Sequence, residues 1–232
     1  MAFQKKIFYK AMKGLLKRYL VFVLGLYFLS VGIVLIVKSS LGTTPISCLN
    51  YVVSINTPLT LGTATFIFNV LLIFIQFLLI RGNNERKDRI EILLQIPFSF
   101  LFGAFIDVNM HLLADVGMSG YAGCLSILAV GLLFQSVGVV LELKPNVAIM
   151  SAEGVVKYAS RRYNKDFGRM KVGFDVLLVL SAVLVSVLMA GRIDGVREGT
   201  LIAAVFTGYS VSFLSRKVMT RANLHRLTSL GR

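Results

Sequence analysis

The stretch FLSVGIVLIVK at residues 28–38 returns as FQSVGVVLELK at residues 134–144, which is 106 positions later. Seven of the eleven aligned positions are identical. The same offset relates FNVLL at 68–72 to FDVLL at 174–178, so the two copies align over more than forty residues without a gap. Shared apolar composition does not by itself produce a constant offset, and two copies of this length are not a solenoid. The sequence therefore predicts a duplicated unit.

The composition of the 232-residue chain favours lipid as its surroundings. Hydrophobic residues make up 56% of the chain, charged residues make up 16%, and the mean hydropathy is +0.78. Soluble proteins average about 45–50% apolar and about 25% charged residues. The 25 Lys and Arg residues outnumber the 11 Asp and Glu residues, but they collect at predicted helix ends, where they meet anionic lipid headgroups. No basic stripe with interleaved aromatic residues lies outside the apolar segments, so no nucleic-acid partner is expected.

Six stretches come close to the roughly 20 apolar residues that a bilayer-spanning helix needs. They lie at about 19–37, 61–80, 90–112, 121–141, 172–191 and 199–215. The chain then divides into a basic N-terminal segment (1–18), a first membrane repeat (19–114), a second membrane repeat (115–216) and a basic tail (217–232). The N-terminal segment suits an amphipathic helix in the headgroup plane, or alternatively a solvated tail that only sets orientation.

Lys and Arg predict the orientation of these spans. They are concentrated in the N-terminal segment, the tail, and the connections 81–89 and 157–171, whereas 39–60, 113–120 and 191–198 carry no net positive charge. The positive-inside rule then places both termini in the cytoplasm, with six crossings between them. Each unit holds an odd number of spans, so the second unit is inverted relative to the first. The predicted fold is an all-α membrane protein of six transmembrane helices in two inverted three-helix repeats, a plan that recurs in secondary transporters.

A break and a short helix follow the first span of each unit. In the first unit, Thr44 is the predicted N-cap and Pro45 the first helical residue. In the second unit, Pro145 ends the span and Ser151, which aligns with Pro45, is the predicted cap of the next helix. The segments 44–56 and 151–160 are too short to cross a bilayer, so they are either re-entrant half-helices or interfacial connectors. Helix N-termini inside a membrane protein attract anions.

The residues around these breaks resemble a known family. The string GLYFLSVGIVLIVKSSLGTTP at 25–45 is similar to the opening motif of the YczE/YyaS/YitT-like bacterial integral membrane proteins, and DGVREGTLIAAVFTGYSVSFL at 194–214 is similar to a segment near their end. The resemblance covers about residues 19–216. It implies a multi-pass protein of the bacterial cytoplasmic membrane, and it implies no particular reaction.

No catalytic, metal or cofactor motif is found. The chain lacks GxSxG, HExxH and Walker A patterns, and its two histidines, His111 and His225, lie far apart in the sequence. Cys48 and Cys124 have no CxxC spacing and no histidine neighbour, which favours a packing role. We therefore expect neither enzymatic activity, nor a metal, nor a cofactor. The absence of a Walker A pattern leaves open the alternative of a permease that works with a separate ATPase.

Polar residues inside apolar spans are costly in lipid and usually face the interior of a helix bundle, so they are the candidate binding residues. These candidates for binding a small molecule are Lys38, Asn69, Glu142, Lys144 and Asp175. Asp107, Gln95 and Gln135 complete the polar set, with Asp107 equally well explained as a boundary residue. Lysines near helix ends also snorkel to the headgroups, and an Asn or Asp also serves as an interhelical hydrogen-bond partner. The candidate structural residues of the repeat motif are Gly32, Gly42, Pro45, Gly138, Pro145 and Gly199.

Three classes of function follow from these patterns. A small-solute transporter or permease component is favoured by the inverted repeats, the broken helices and the equivalent polar positions Asn69 and Asp175. A membrane-embedded regulator or scaffold without transport activity would instead act through its basic cytoplasmic segments, and an enzyme is the third class. The sequence leaves open the substrate, the direction of transport, the coupling ion, and whether the chain forms a homo-oligomer or binds a separate partner protein.

Overall fold

A computed structural model describes residues 2–80, 86–117, 120–145 and 147–213, with side chains from residue 14 to residue 207 within these ranges. The described residues contain α-helices and no strand. The helices are α1 (Ala2–Lys38), α2 (Pro45–Asn56), α3 (Leu61–Leu79), α4 (Arg86–Leu112), α5 (Tyr121–Leu143), α6 (Ser151–Tyr163), α7 (Phe167–Ala190) and α8 (Glu198–Phe213). The predicted all-helical class is confirmed.

Five helices are long and apolar enough to cross a membrane. They are the Gly14–Lys38 part of α1, and α3, α4, α5 and α7. The outward surface is correspondingly apolar: on α7, Leu180, Leu184 and Leu188 recur every four residues and are 60–75% exposed. A continuous exposed leucine stripe is unfavourable in water and favourable against lipid tails. The structure thus supports the membrane class, while the expected sixth span at 199–215 extends past Phe213, beyond the described residues.

The helix boundaries repeat with the sequence. α2 begins at Pro45 and α6 at Ser151, and α3 begins at Leu61 and α7 at Phe167, so both pairs of starting residues are 106 positions apart. The last helical residue of α1, Lys38, likewise aligns with Lys144, the C-cap of α5. The duplicated sequence therefore forms two units with the same order of local elements.

α1 and α5 pack closely against each other in antiparallel directions, and glycines make the approach possible. A Cβ built on Gly32 would lie 2.5 Å from the backbone N of Gln135, and one on Gly138 would lie 2.5 Å from that of Leu29. Gly25 and Gly131, seven residues before these two glycines, also face backbone of the opposite helix. Small residues at such positions allow backbones of neighbouring membrane helices to come together.

The contacts between the two units are reciprocal. At the α1–α5 contact, Phe28 stacks on Phe134, its equivalent in the other copy, with ring centroids 5.6 Å apart. α2 packs on α7 and α6 packs on α3, which is the same pair of elements with the units exchanged. The α1–α4 and α5–α8 contacts are related in the same way. Exchange of the two units therefore maps most of the helix packing onto itself.

Two boundaries differ from those expected. The basic segment 1–18 and the first span belong to one helix, since α1 runs from Ala2 to Lys38 without a break. In the second unit, α6 continues to Tyr163, three residues past the expected end at 160, and stops where Asn164 adopts the left-handed conformation with φ 55°. Asn tolerates this conformation better than most residues. Arg161 and Arg162, predicted to lie in the connection that follows the short helix, are therefore on the helix itself.

The close contact between α1 and α5 predicts that a Gly→Ala substitution lowers stability there and raises it at an open position of α7. Gly32→Ala and Gly138→Ala place a methyl group against backbone that cannot rotate away, and we expect each to destabilise the protein by about 1–3 kcal/mol. Gly173→Ala on α7 is the matched control, because nothing lies within 4 Å of its built Cβ, so it gains about 1 kcal/mol of helix propensity. The measurement is the thermal unfolding midpoint in detergent. A higher midpoint for Gly32→Ala and Gly138→Ala, as for Gly173→Ala, would show that the close contact is absent.

Candidate functional site

A buried chain of hydrogen-bonded side chains joins α3, α4 and α6. The amides of Gln76 and Gln95 bind each other reciprocally, at 2.8 Å and 2.9 Å. Gln76 Nε2 also donates to the carbonyl of Ser151 at 3.1 Å, and the Ser151 hydroxyl donates to Asn69 Oδ1 at 2.6 Å. All four residues are buried. We call Asn69, Gln76, Gln95 and Ser151 the amide network.

The first residue of α6, Ser151, is fully buried inside the protein. The N-cap of α6 is Met150, which is apolar and makes no side-chain cap. Ser151 was expected to cap this helix, and that expectation is wrong: Ser151 is the first helical residue, and its hydroxyl is used by Asn69 of α3 instead. Asn69 Nδ2 has no hydrogen-bond partner among the described residues. The N-terminus of α6 therefore meets a polar side chain that retains an unused donor.

Glu142, in the last turn of α5, reaches the same point from another direction. The backbone N–H of Met150 donates to its carboxylate, and the residue is only 4% exposed. Around it lie the charges of Glu153 and Lys171. Lys171 Nζ is 2.8 Å from Asp175 Oδ1 and 4.0 Å from Glu153 Oε1. We call Glu142, Glu153, Lys171 and Asp175 the charged cluster.

The equivalent contact between α2 and α7 contains no amide, although the Cys48 thiol accepts the Thr43 hydroxyl at 3.1 Å. Gly154 of α6 leaves room for Gln76, since a Cβ there would lie 2.4 Å from Gln76 Oε1. In the other copy, Cys48 is the equivalent of Gly154 and Ala182 is the equivalent of Gln76. Both belong to one hydrophobic cluster with Val52. At the α2–α7 contact, a thiol and a methyl group thus take the places of the glycine and the amide at the α6–α3 contact. The amide network is a feature of one of these two contacts and not of the fold.

The predicted candidates have different surroundings. Asn69 lies in the amide network and Glu142 in the charged cluster, whereas Asp175 is paired with Lys171 one turn away on α7. Phe68 and Phe174, which precede Asn69 and Asp175, pack on the same small cluster around Leu72 and Ala152. The two equivalent positions therefore approach one region from different units, while making different contacts. Lys38 Nζ instead donates to the carbonyl of Ala114 at 3.0 Å, and Lys144 is the C-cap of α5.

The other predicted polar residues have structural surroundings. Asp107 Oδ1 accepts the backbone N–H of Gly62 at 2.8 Å, and its Oδ2 accepts the Thr60 hydroxyl at 2.7 Å. These bonds connect α4 to the N-terminus of α3. Asp107 therefore has a structural role in addition to lying near the end of a span. Gln95 belongs to the amide network, and Gln135 is buried at the α1–α5 contact.

The glycines and prolines of the repeat motif shape the breaks. Gly42 has φ +119°, a conformation that favours glycine. Gly199 donates its N–H to the Leu41 carbonyl at 2.8 Å, and a Cβ there would meet that oxygen at 2.6 Å. Pro45 is the first residue of α2 with Thr44 as the N-cap, as predicted, although Thr44 makes no side-chain cap. Pro145 follows the end of α5.

A pocket of about 180 Å³ lies elsewhere, where the end of α1, α2 and the α7–α8 connection meet. Tyr51, Asp194 and Arg197 provide its polar groups. Asp194 is paired with Arg192 at 2.9 Å, and Arg197 donates to the Ser40 carbonyl at 3.0 Å. This pocket has the volume of a small solute, and its charges are already paired within the protein.

Among these features, the start of α6 has the strongest chemistry for binding. It brings together an unused amide donor, a buried carboxylate and a helix N-terminus. Sequence reasoning identified Asn69, Glu142 and Gln95 but missed Gln76 and Glu153. Gln76 is the single hydrogen-bonding side chain in IFIQFLL at 73–79, a signal that was available. The contact between Gln76 and Gly154 could not be predicted from the sequence, because it depends on which helices pack together.

Reciprocal amide bonds predict a non-additive stability effect. Gln76→Met or Gln95→Met alone leaves the other amide buried without its partner, and we expect each to lower the unfolding free energy by about 1–3 kcal/mol. The double variant removes both amides and should cost less than the sum of the single effects. The measurement is a double-mutant cycle from denaturant unfolding in detergent. Strict additivity would show that the two side chains do not interact.

Comparison with known proteins gives one family and no function. No curated protein and no solved structure matches the chain. The resemblance to the YczE/YyaS/YitT-like proteins is not tested by these comparisons and stays a prediction. A family model described as "Family of unknown function (DUF6198)" matches residues 16–216, which include all five apolar helices except the first two residues of the Gly14–Lys38 span. The chain therefore belongs to this family.

Proposed function

We propose that this chain is a small-solute transporter or permease component whose binding site lies at the start of α6. The observation that carries the proposal is the amide network with its unused Asn69 donor, placed beside the buried Glu142. Polar groups inside a membrane protein are costly, and they usually line a substrate or ion pathway. Because Cys48 and Ala182 occupy the equivalent places at the α2–α7 contact without an amide, the fold does not need these amides for its own assembly.

The reciprocal packing supports two inverted repeats in this proposal. α1 and α5 are equivalent helices that contact each other in antiparallel directions, with the equivalent rings of Phe28 and Phe134 stacked. Such an arrangement suits a two-fold axis that lies in the membrane plane and passes near these rings. Secondary transporters built on this plan bind substrate at the repeat interface near the midplane, beside discontinuous helices.

The direction of α6 supports its assignment as a re-entrant half-helix. Its first residue, Ser151, bonds to Asn69, the ninth of the nineteen residues of α3. Near its other end, Arg162 Nη1 donates to the carbonyl of Leu79 at 2.9 Å, where α3 ends. α6 therefore covers the distance from the middle of a long apolar helix to one end of it. Helix N-termini at such a depth are tolerated where protein surrounds them.

The basic end of α6 supports a cytoplasmic location for that side. Arg161 pairs with Asp88 at 3.0 Å and Lys157 pairs with Glu91 at 2.5 Å, so the second unit is attached to the beginning of α4. In the proposed topology, the pocket near Tyr51 and Asp194 opens at the opposite, external side. The start of α6 lies between the two.

The inverted topology is tested by thiol labelling. In a chain with Cys48→Ala and Cys124→Ser, we expect Asp115→Cys to react with an impermeant maleimide added to intact cells, because it follows the external end of α4. Lys165→Cys, exposed between α6 and α7, should react only after permeabilisation, because the basic face is cytoplasmic. Labelling is read by mass shift on a gel. External labelling of Lys165→Cys would contradict the inverted arrangement.

The transport role is tested with a lipid-facing control. Asn69→Leu removes the unused donor and the Ser151 partner, and we expect it to reduce solute uptake by at least about tenfold, the equivalent of 1.4 kcal/mol. The control is Ser126→Ala on α5, an exposed position whose hydroxyl donates to the carbonyl of Ala122 one turn earlier on its own helix. Uptake is measured in proteoliposomes by mass spectrometry, against a mixture of small polar metabolites.

Equal insertion and stability of the two variants are required for this comparison, and both are checked by monodisperse elution in detergent. Uptake that is unchanged in Asn69→Leu would contradict a site at the start of α6. No solute uptake by the wild type, with a cellular phenotype that depends on the tail 217–232, would instead favour the regulator or scaffold.

A further inference from the structure

One oxygen of a buried carboxylate at the junction of α5 and α6 has no hydrogen-bond partner among the residues that the structure describes. Glu142 is 4% exposed, and the Met150 N–H donates to its carboxylate. Glu142 Oε1 has no hydrogen-bond partner in the described part of the chain. An unpaired buried charge costs several kcal/mol, so a carboxylate persists at such a place only where it has a use.

The sister unit shows that the fold does not need an acid here. Glu142 aligns with Ile36, which is fully buried at the equivalent turn of α1. An isoleucine thus fits the same packing environment, and apolar side chains stabilise such positions without a desolvation penalty. The glutamate was therefore not required by the packing of this turn.

Charges of both signs lie around Glu142. Glu153 on α6 disfavours a second negative charge, whereas Lys171 on α7 and the N-terminus of α6 favour it. On α1 the nearest contact is Gly25, and the basic Lys17 and Arg18 are about two turns before it. On α8 the titratable side chain among the described ones is Glu198, at its first residue. On α5 itself, Lys144 follows two residues later.

We propose that Glu142 is a reversible proton-binding site, and that the proton is the ion coupled to transport. Proton binding by Glu142 stands independently of the proposed function, whereas coupling of the proton to transport rests on it. A proton from water adds to the free oxygen of the carboxylate, which becomes a neutral carboxylic acid, and its release restores the carboxylate. Glu153 and Lys171, whose charges act on Glu142, have side chains 25–26% exposed, so they connect the buried carboxylate with the surface.

A proton suits the site better than a metal cation. Hard cations such as Mg²⁺ and Ca²⁺ need about six to eight oxygen ligands, and no group of three or more His, Cys, Asp or Glu side chains able to hold a metal occurs among the described residues. A proton needs a single oxygen, which Glu142 Oε1 provides. Protonation also weakens the charge-assisted bond from the Met150 N–H, and so loosens α6 from α5.

The test is infrared difference spectroscopy on the purified full chain, titrated between about pH 6 and pH 9, above the range in which ordinary carboxyl groups titrate. We expect a carbonyl band of a protonated carboxylic acid that disappears reversibly as the pH rises. The band should be lost in Glu142→Gln and retained in Glu198→Gln, whose carboxylate is 44% exposed on another helix. If Glu142→Gln does not fold, Glu142→Ile, which copies the sister unit, takes its place.

Absence of a titrating band in the wild type, or its persistence in both Glu142 variants, would overturn the proton site. The proposed function fails separately, through absence of solute uptake in proteoliposomes. Coupling is read from a pH dye inside the same vesicles: proton entry that accompanies solute uptake supports it, and uptake without proton movement overturns it. A titrating Glu142 in a chain that transports nothing would leave a proton site without the transporter.

Discussion

The close antiparallel contact between α1 and α5 is the constraint on which the rest of the structure depends. At Gly32 and Gly138 the two backbones are so close that an added Cβ would lie 2.5 Å from a backbone nitrogen of the opposite helix. Once these helices are in register, the short helix of each unit is directed onto the third helix of the other, α2 onto α7 and α6 onto α3. The amide network is a consequence, because it forms across the α6–α3 contact.

The relation between the two units explains how a site arises from a duplicated sequence. Equivalent positions have equivalent neighbours, but they are separate residues of the chain. A substitution at one of them therefore does not have to be matched at the other. Gly154 and Gln76 occupy in one contact the places of Cys48 and Ala182 in its counterpart, and Glu142 occupies that of Ile36. Polarity was thus concentrated on one side of a nearly symmetric framework, where different groups of the two units meet.

Much of the fold could be predicted from the sequence because its signals are local. The repeat offset, the length of the apolar runs and the Thr44-Pro45 break fixed most helix limits to within a few residues. The site was predictable only in part. Asn69 and Glu142 stand out as polar residues in apolar runs, but the bond from Ser151 to Asn69 joins residues 82 positions apart. The role expected for Ser151 was wrong because a local capping rule competed with this distant partner.

The Ser151–Asn69 bond also bears on how the protein is made. α3 leaves the ribosome long before α6, so Asn69 and Gln76 have to enter the bilayer while their partner in the second unit does not yet exist. During that interval their amides depend on Gln95, on water, or on the insertion machinery. The hydrogen bonds of the first unit are therefore complete only once α6 has been made. Duplication has produced two halves that resemble each other and that supply each other with hydrogen-bond partners.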